Sequence, residues 1–407
     1  MRFHYGYFVL LPNGIAVRSG DDFGQTPDTY KIGSSMGVKN GKEGVAVEVV
    51  KGNAARLNGF DVIVFIVENQ PGAMVPWVPS REAIDRAIRA LTAVPTPPPT
   101  IQAVFNDNRI VAIWNRLYPR PVTETFHEFL IEVPLKGTFG ERWYKVELSK
   151  SESKRHVVEH WLRALREGQQ KHRPPDHKPG QVYGAPATGA TTELIALAHD
   201  LYLLQKVKSL PRKLIRRLRK YKEFQGARYE VAIAAAFVKC GFEIEWVNDH
   251  SVRHPEFIAR NARSGEEVAV ETKSRHRPGT LHEPGVLPPE GKLRADVDRL
   301  YNDALGQDPG DTPFAIFIDV NLPPNTAPKE TVRWRDEIVG RWQSNQQQIA
   351  LLGFTNFAWH YKPEDRVSRP ELLLSVPLVP ARPLRTPETL RCLELVLDTY
   401  GIVPNEY

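Results

Sequence analysis

With 407 residues, 41% apolar and 25% charged side chains, the chain has the makeup of a globular protein large enough for two or three domains. A net charge of +6 suits a polyanionic partner without requiring one, and two cysteines supply no disulfide framework, so a reducing, cytoplasmic setting is expected. No apolar run reaches the roughly eighteen residues of a membrane span, and the opening MRFHYGYFVLLPNG lacks the features of a secretory signal.

The first hundred or so residues read as strand-rich: Tyr5 to Leu11, Gly44 to Val50, Asp61 to Val67, Ile101 to Phe105 and Ile110 to Trp114, with one helix from Arg81 to Leu91. A proline-rich spacer near 93–100 divides this region. Gly33-Ser34-Ser35-Met36-Gly37 has the spacing of a hydrolase nucleophile elbow, but Val-Lys-Asn-Gly-Lys-Glu-Gly after it cannot sustain the helix that such an elbow needs. It reads as a glycine-rich loop.

Phe126 to Glu147 reads as further strands, and Ser151 to Glu167 as an amphipathic helix carrying His156-Val-Val-Glu-His160. That pattern matches an inverted zincin, yet both histidines are expected on a solvated face beside Arg163 and Glu167, without a third ligand. Residues 168–192, rich in Pro, Gly, Lys and His, read as a linker between a strand-rich region at 1–167 and a second domain at 193–407. The N-terminal region carries no recognisable chemistry and is a candidate for docking a partner protein or a second copy.

Lys206 to Lys222 holds nine Lys or Arg and no acid. On a helix anchored by Leu214, Ile215 and Leu218, the side chains of Arg212, Arg216, Arg219 and Lys220 face outward as candidate phosphate contacts. The next helix is apolar on one face, and Glu230 sits in the middle of that face among Gly226, Ala227, Ile233, Ala234 and Phe237, with Arg228 and Lys239 opposite. A carboxylate there is costly unless it forms a buried salt bridge or approaches a metal.

Three strand-like runs follow, with a turn at Ser264-Gly265. In the third, alternation sets Ala269, Glu271 and Lys273 on one face and Val268, Val270 and Thr272 on the other. Pro255 blocks ladder pairing at a strand start, with Glu256 directly after it. Two carboxylates on neighbouring strands beside a lysine suit phosphodiester hydrolysis, because Mg²⁺ favours carboxylate and phosphate oxygens. Ser274 to Arg277 adds Arg275 and Arg277 as further candidate contacts to nucleic acid. A helix from Glu290 to Leu305, a buried strand from Phe314 to Val320, a helix from Trp334 to Leu351, strands at Gly353 to Tyr361 and Glu371 to Val376, and a helix from Glu388 to Thr399 complete the chain.

Pro255-Glu256, Glu271-Thr272-Lys273 and the helical Glu230 ahead of them resemble the PD-(D/E)XK, or restriction-endonuclease-like, nuclease superfamily over roughly residues 223–320, about a quarter of the chain. The resemblance implies an α/β (α+β) fold with an αβββαβ core. It also implies a Mg²⁺ ion, replaceable by Mn²⁺, held by Glu256, Glu271 and Thr272, with Lys273 assisting the attacking water and Glu230 in support. The family usually carries aspartate where this chain has Glu256. The expected activity is hydrolysis of nucleic acid, DNA foremost. A protein of another class, a nuclease fold of weak activity used for DNA binding or assembly, is the alternative.

Overall fold

A computed structural model describes the backbone of the strands within residues 3–68, and residues 102–105, 108–178, 181–247, 254–276, 289–323, 339–340, 348–357, 359, 370–376 and 382–405. The chain forms two compact units, Met1–Val94 with Arg385–Cys392, and Pro95–Leu384 with Leu393–Tyr407. The first unit contains β1 (Phe3–Leu11), β2 (Gly14–Ser19), β3 (Tyr30–Lys31), β4 (Ala46–Val50), β5 (Arg56–Leu57) and β6 (Phe60–Glu68). They form an antiparallel sheet in the order β3-β2-β1-β6-β4, with β5 on β6. The helix expected at Arg81 to Leu91, the spacer near 93–100 and the loop at Gly33 to Gly37 lie outside the described residues.

The second unit opens with a three-stranded meander, β7 (Gln102–Phe105), β8 (Asn108–Ile113) and β9 (Arg116–Pro121). Where strands were expected from Phe126 to Glu147, the chain is helical. After α1 (Phe126–Leu130) comes a π-helical turn (Ile131–Leu135), then α2 (Lys136–Phe139) and α3 (Glu141–Ser149). The start is set by a capping box: the Thr125 hydroxyl accepts the Glu128 N–H at 3.3 Å, and the Glu128 carboxylate accepts the Thr125 N–H at 2.8 Å. Pro134 cannot donate an intrahelical bond, and the π turn around it absorbs that loss.

Then come α4 (Val157–Lys171), α5 (Gly189–Lys206), α6 (Arg212–Leu218) and α7 (Phe224–Lys239). The expected linker at 168–192 takes in the end of α4, the connection and the start of α5, and the two helices pack on each other within the second unit, while the division into units comes after Val94. Apolar side chains on both helices leave no separate cores for the stretch to join. Similarly, α7 is buried on nearly all sides, Arg228 included, so it has no solvated face.

A six-stranded mixed sheet follows, built from β10 (Glu243–Trp246), β11 (Phe257–Asn261), β12 (Glu266–Ser274), β13 (Phe314–Asp319), β14 (Leu351–Asn356) and β15 (Glu371–Ser375) in that spatial order. Between β12 and β13 runs α8 (Glu290–Leu305), and α9 (Pro387–Asp398) comes last. β10, β11 and β12 form an antiparallel meander; β12, β13 and β14 are parallel, and the crossover that a parallel pair requires runs through α8 between β12 and β13. Residues 349–351, expected at the end of a helix, instead lead into and begin β14, and most of the rest of that stretch lies outside the described residues.

Phe237 of α7 meets Phe257 and Phe317 edge-to-face on one side of the sheet. On the other, Leu293, Val297 and Tyr301 of α8 pack with Ala269, Ile316 and Ile318. The end of the chain is tied to the start of this unit. Tyr400 donates to Asp200 at 2.5 Å, Arg228 donates to Asp200 at 2.8 Å, and the Phe126 N–H donates to the Asn405 carbonyl at 3.1 Å. No helix of the described residues is long and apolar enough to cross a membrane.

Among the described residues three other than glycine sit in left-handed backbone, Trp114, Lys208 and Asn321, and the first two meet. Trp114 (φ 52°) is the first residue of the two-residue turn joining β8 to β9, and Lys208 (φ 54°) follows the last turn of α5. Such backbone costs about 1–2 kcal/mol per residue outside glycine. The Lys208 ammonium lies 5.3 Å from the Trp114 ring centre, and an exposed cation–π contact returns only about 0.5–1 kcal/mol.

Gly353 in β14 is required by close packing. A Cβ there would lie 2.6 Å from the Phe317 ring and 2.8 Å from Leu374. Gly353→Ala is expected to destabilise the protein by at least about 1–3 kcal/mol, read as a lower urea midpoint, since neither neighbour can move without disturbing the core. An unchanged midpoint would contradict the packing of β13 against β14.

Candidate active site

The β11–β12 hairpin carries the chemistry. Its turn is held by Asn261, whose side-chain oxygen accepts from Arg263 and Ser264 at 3.0 and 3.2 Å, with Gly265 supplying the positive φ of 68°. The register pairs Phe257 with Val270, so Glu256 stands opposite Glu271. β12 runs on to Ser274, and residues 271–274 pair with β13 alone among the described strands. This open edge is where the polar side chains gather.

Lys273 donates to one oxygen of Glu271, and the Glu256 N–H donates to the other at 3.1 Å. Glu271 is 1% exposed, whereas Glu256 and Lys273 are half-buried and give the pair its contact with solvent. Alternation holds as expected: Glu271 and Lys273 share a face with Ala269, and the Thr272 side chain points the other way, paired in register with Phe317. Only the backbone of Thr272 is on offer to this cluster.

Glu230 approaches from α7. Its carboxylate is gripped by Arg217 through two bonds, Nη1 at 2.5 Å and Nη2 at 2.7 Å, so the buried salt bridge weighed from sequence exists. The electrostatics still join it to the cluster. Burial pushes Glu230 up to about 7, with the Glu256 charge adding and Arg217 opposing. Burial likewise pushes Glu271 up to about 8, against the pull of Lys273 and with help from Glu256. Arg217 was not among the residues singled out from sequence. Its position in the last turn of α6 turns it inward to Glu230, while the basic side chains of Arg212 and Arg216 face out.

The candidate phosphate contacts divide. Arg212, Arg216 and Lys220 are exposed on or beside α6, with Lys220 near Glu223 at 2.8 Å. Arg219 instead turns its guanidinium onto the Thr138 carbonyl at 2.6 Å, satisfying an end of α2. Arg275 is a correction: it is 5% exposed, and its Nε donates to Asp296 of α8 at 3.1 Å. Lying on the α8 face of β12, it braces the crossover. Arg277 lies outside the described residues.

The histidine pattern also differs from expectation. His156 is not on a helix face but caps the start of α4, its Nδ1 accepting the Val158 N–H at 3.3 Å. It is buried against Trp143 and Phe224, and burial lowers it to about 3. With Nδ1 accepting, the neutral ring carries its proton on Nε2, and His156 precedes the first helical turn, so it does not offer zinc a lone pair beside His160 as a zincin requires. Among the described residues no three His, Cys, Asp or Glu side chains form a cluster preset for a metal ion.

Comparison with known proteins adds no relative: no family model matches the chain, and neither a curated protein nor a solved structure gives a significant match.

The buried acids give a pH signature. Glu271 and Glu230 have folded values raised above their ordinary 4.5, so the stability they contribute is complete below that and is lost as pH rises through about 7 to 8. His156, depressed from 6.5 to about 3, works in the opposite sense, and its contribution is lost as pH falls below 6.5. Thermal stability without divalent cations is therefore expected to peak between pH 4.5 and 6.5 and to fall towards pH 8. The fall should be smaller in Glu271→Gln. A melting temperature that climbs steadily through pH 8 in the parent would show that these acids are not held as described.

Proposed function

We propose that this protein is a metal-dependent nuclease acting on DNA, with a restriction-endonuclease-like core built from α7, β10, β11, β12, α8 and β13. The observation that carries this reading is the convergence at one open sheet edge of Glu271, its partner Lys273 and the opposed Glu256. The α-β-β-β-α-β order with a parallel β12–β13 pair supports the same fold. A buried carboxylate–lysine pair is a poor structural choice, because two apolar side chains would fill the same space without desolvating either charge.

The donor set fits Mg²⁺. Hard oxygen ligands predominate, and Glu271 and Glu230, raised first by burial and further by the Glu256 charge, form a group of carboxylates whose charged form a cation would favour. Glu271 and Glu256 would hold it through carboxylate oxygens, with the Thr272 carbonyl as a further ligand, and Mn²⁺ as a substitute. When bound, it would supply Lewis-acid activation of water and of the scissile phosphate. Lys273, already directed at Glu271, would be released to contact phosphate and to orient the attacking water. Arg217 fixes Glu230, keeping a further carboxylate near Glu256 and Lys273. The exposed Arg212, Arg216 and Lys220 offer a salt-sensitive surface for the phosphate backbone.

One observation favours the non-catalytic alternative: Glu271 is almost fully enclosed and both its oxygens are engaged. Activity separates the two. Nicking of supercoiled plasmid and digestion of labelled strands are expected with Mg²⁺ or Mn²⁺ and not with EDTA. Lys273→Ala should cut the rate at least about a hundredfold, Glu256→Ala should abolish cleavage, and Glu256→Asp should retain it. Binding without cleavage on every substrate would select the alternative, and cleavage that survives Lys273→Ala would locate the chemistry elsewhere.

Combined replacement of Arg212, Arg216 and Lys220 by Ala is expected to weaken DNA binding and to flatten its salt dependence by up to about 0.9 log units per lost phosphate contact. An unchanged slope would reduce this run to a solvated face.

A further inference from the structure

A cavity of about 770 Å³ lies in the second unit, away from the carboxylates, between the β8–β9 turn, the π turn and the start of α6. Trp114, Arg116, Tyr118, Lys208 and Ile215 line it. We propose that it binds a nucleotide of single-stranded nucleic acid, with a base stacked on Trp114 and the phosphate held by Arg116 and Lys208.

The backbone makes the case first. Trp114 occupies the one position of a two-residue hairpin turn where φ is positive, a place for glycine. Lys208 stands just past the end of α5, where helices commonly place glycine for the same reason. At both positions the fold alone would favour a residue without a side chain. The chain instead puts there its largest aromatic side chain and a cation, and the two meet at the same cavity. Their mutual attraction returns less than the backbone costs, so the pairing does not account for itself.

The chemistry of the lining then narrows the occupant. Trp114 is 56% exposed, and Tyr118 offers a second ring nearby. Aromatic faces beside cations are the composition that takes up unpaired bases with their phosphates. The acid in the lining, Glu132, is occupied by Lys136 at 2.5 and 2.7 Å, so the cations set the sign of the cavity. A base within a duplex is stacked on its neighbours and cannot lie on the indole, hence the preference for a single strand. The position agrees. Ile215 of α6 borders the cavity while Arg217 of the same short helix reaches Glu230, so cavity and carboxylates flank α6. A strand held at Trp114 would cross the exposed Arg212 and Arg216 on its way to the site.

The inference rests on the nuclease reading only for its substrate class, and it is tested by binding, apart from cleavage. The full-length protein in EDTA is titrated into fluorescein-labelled oligothymidylate and into a duplex of equal length, followed by anisotropy. Trp114→Gly is expected to weaken single-strand binding at least about tenfold, Trp114→Phe much less, and duplex binding little. Because glycine suits the turn, Trp114→Gly should melt within a few degrees of the parent. Lys208→Gly should likewise stay folded and flatten the salt dependence for the single strand by about 0.7 log units. Folded Trp114→Gly protein that binds oligothymidylate as the parent does, or that loses duplex binding equally, would overturn the proposal. Trp114-dependent binding without any cleavage in Mg²⁺ would uphold this site while removing the nuclease reading. Cleavage indifferent to Trp114 would do the reverse.

Discussion

The parallel ladder between β12 and β13 is the contact on which the second unit depends. It obliges the chain to cross over through α8, which brings Leu293, Val297 and Tyr301 onto one face of the sheet and leaves the other for α7. It also fixes which way Glu271 and Lys273 point, because a slip of one residue would exchange them with Val270 and Thr272 and bury a lysine against Phe317. β12 runs past β11 by the length of the Glu271–Ser274 segment, so the polar group sits where β12 is paired on the β13 side alone. The location of the candidate site thus follows from a difference in strand length.

Much of this second sheet was legible in the sequence. The alternation from Glu266 to Lys273, Pro255 before a strand and the apolar run at Phe314 are local signals, and the sheet uses them locally. Misreadings arose where a residue's partner is remote or where two signals compete. Ile131 and Val133 argue for a strand, but Thr125 and Glu128 form a capping box that outweighs them, and that motif was present in the sequence. Arg228 lies opposite the predicted apolar face and is nonetheless buried, with its partners Asp200 and Tyr400 lying 28 and 172 residues away. Arg217 could not be separated from its basic neighbours by spacing alone, since only the position of Glu230 on α7 distinguishes it. His156 was placed on a helix that begins one residue later, and this small error changes a solvated ring into a buried cap.

Charge is distributed in this unit by degree of confinement. Arg217, Arg219 and Arg275 are directed into the protein, each onto a specific oxygen, while Arg212, Arg216 and Lys220 remain outside. Guanidinium groups suit the inner role because they can grip a carboxylate in two places and do not shed their proton.

The tie between Tyr400, Asp200 and Arg228, with Phe126 held to Asn405, also governs when the protein can become complete. A chain leaves the ribosome from its N-terminal end, and domains generally fold in that order. Here the helix that carries Glu230 has a buried arginine whose tyrosine partner is made 172 residues later. Until then the cation has only its acidic neighbours, and α1 lacks the backbone acceptor at Asn405. The second unit consequently closes only once Tyr400 and Asn405 have been made, so a product truncated before them would lack the last bonds that hold the carboxylate-bearing helix in its core.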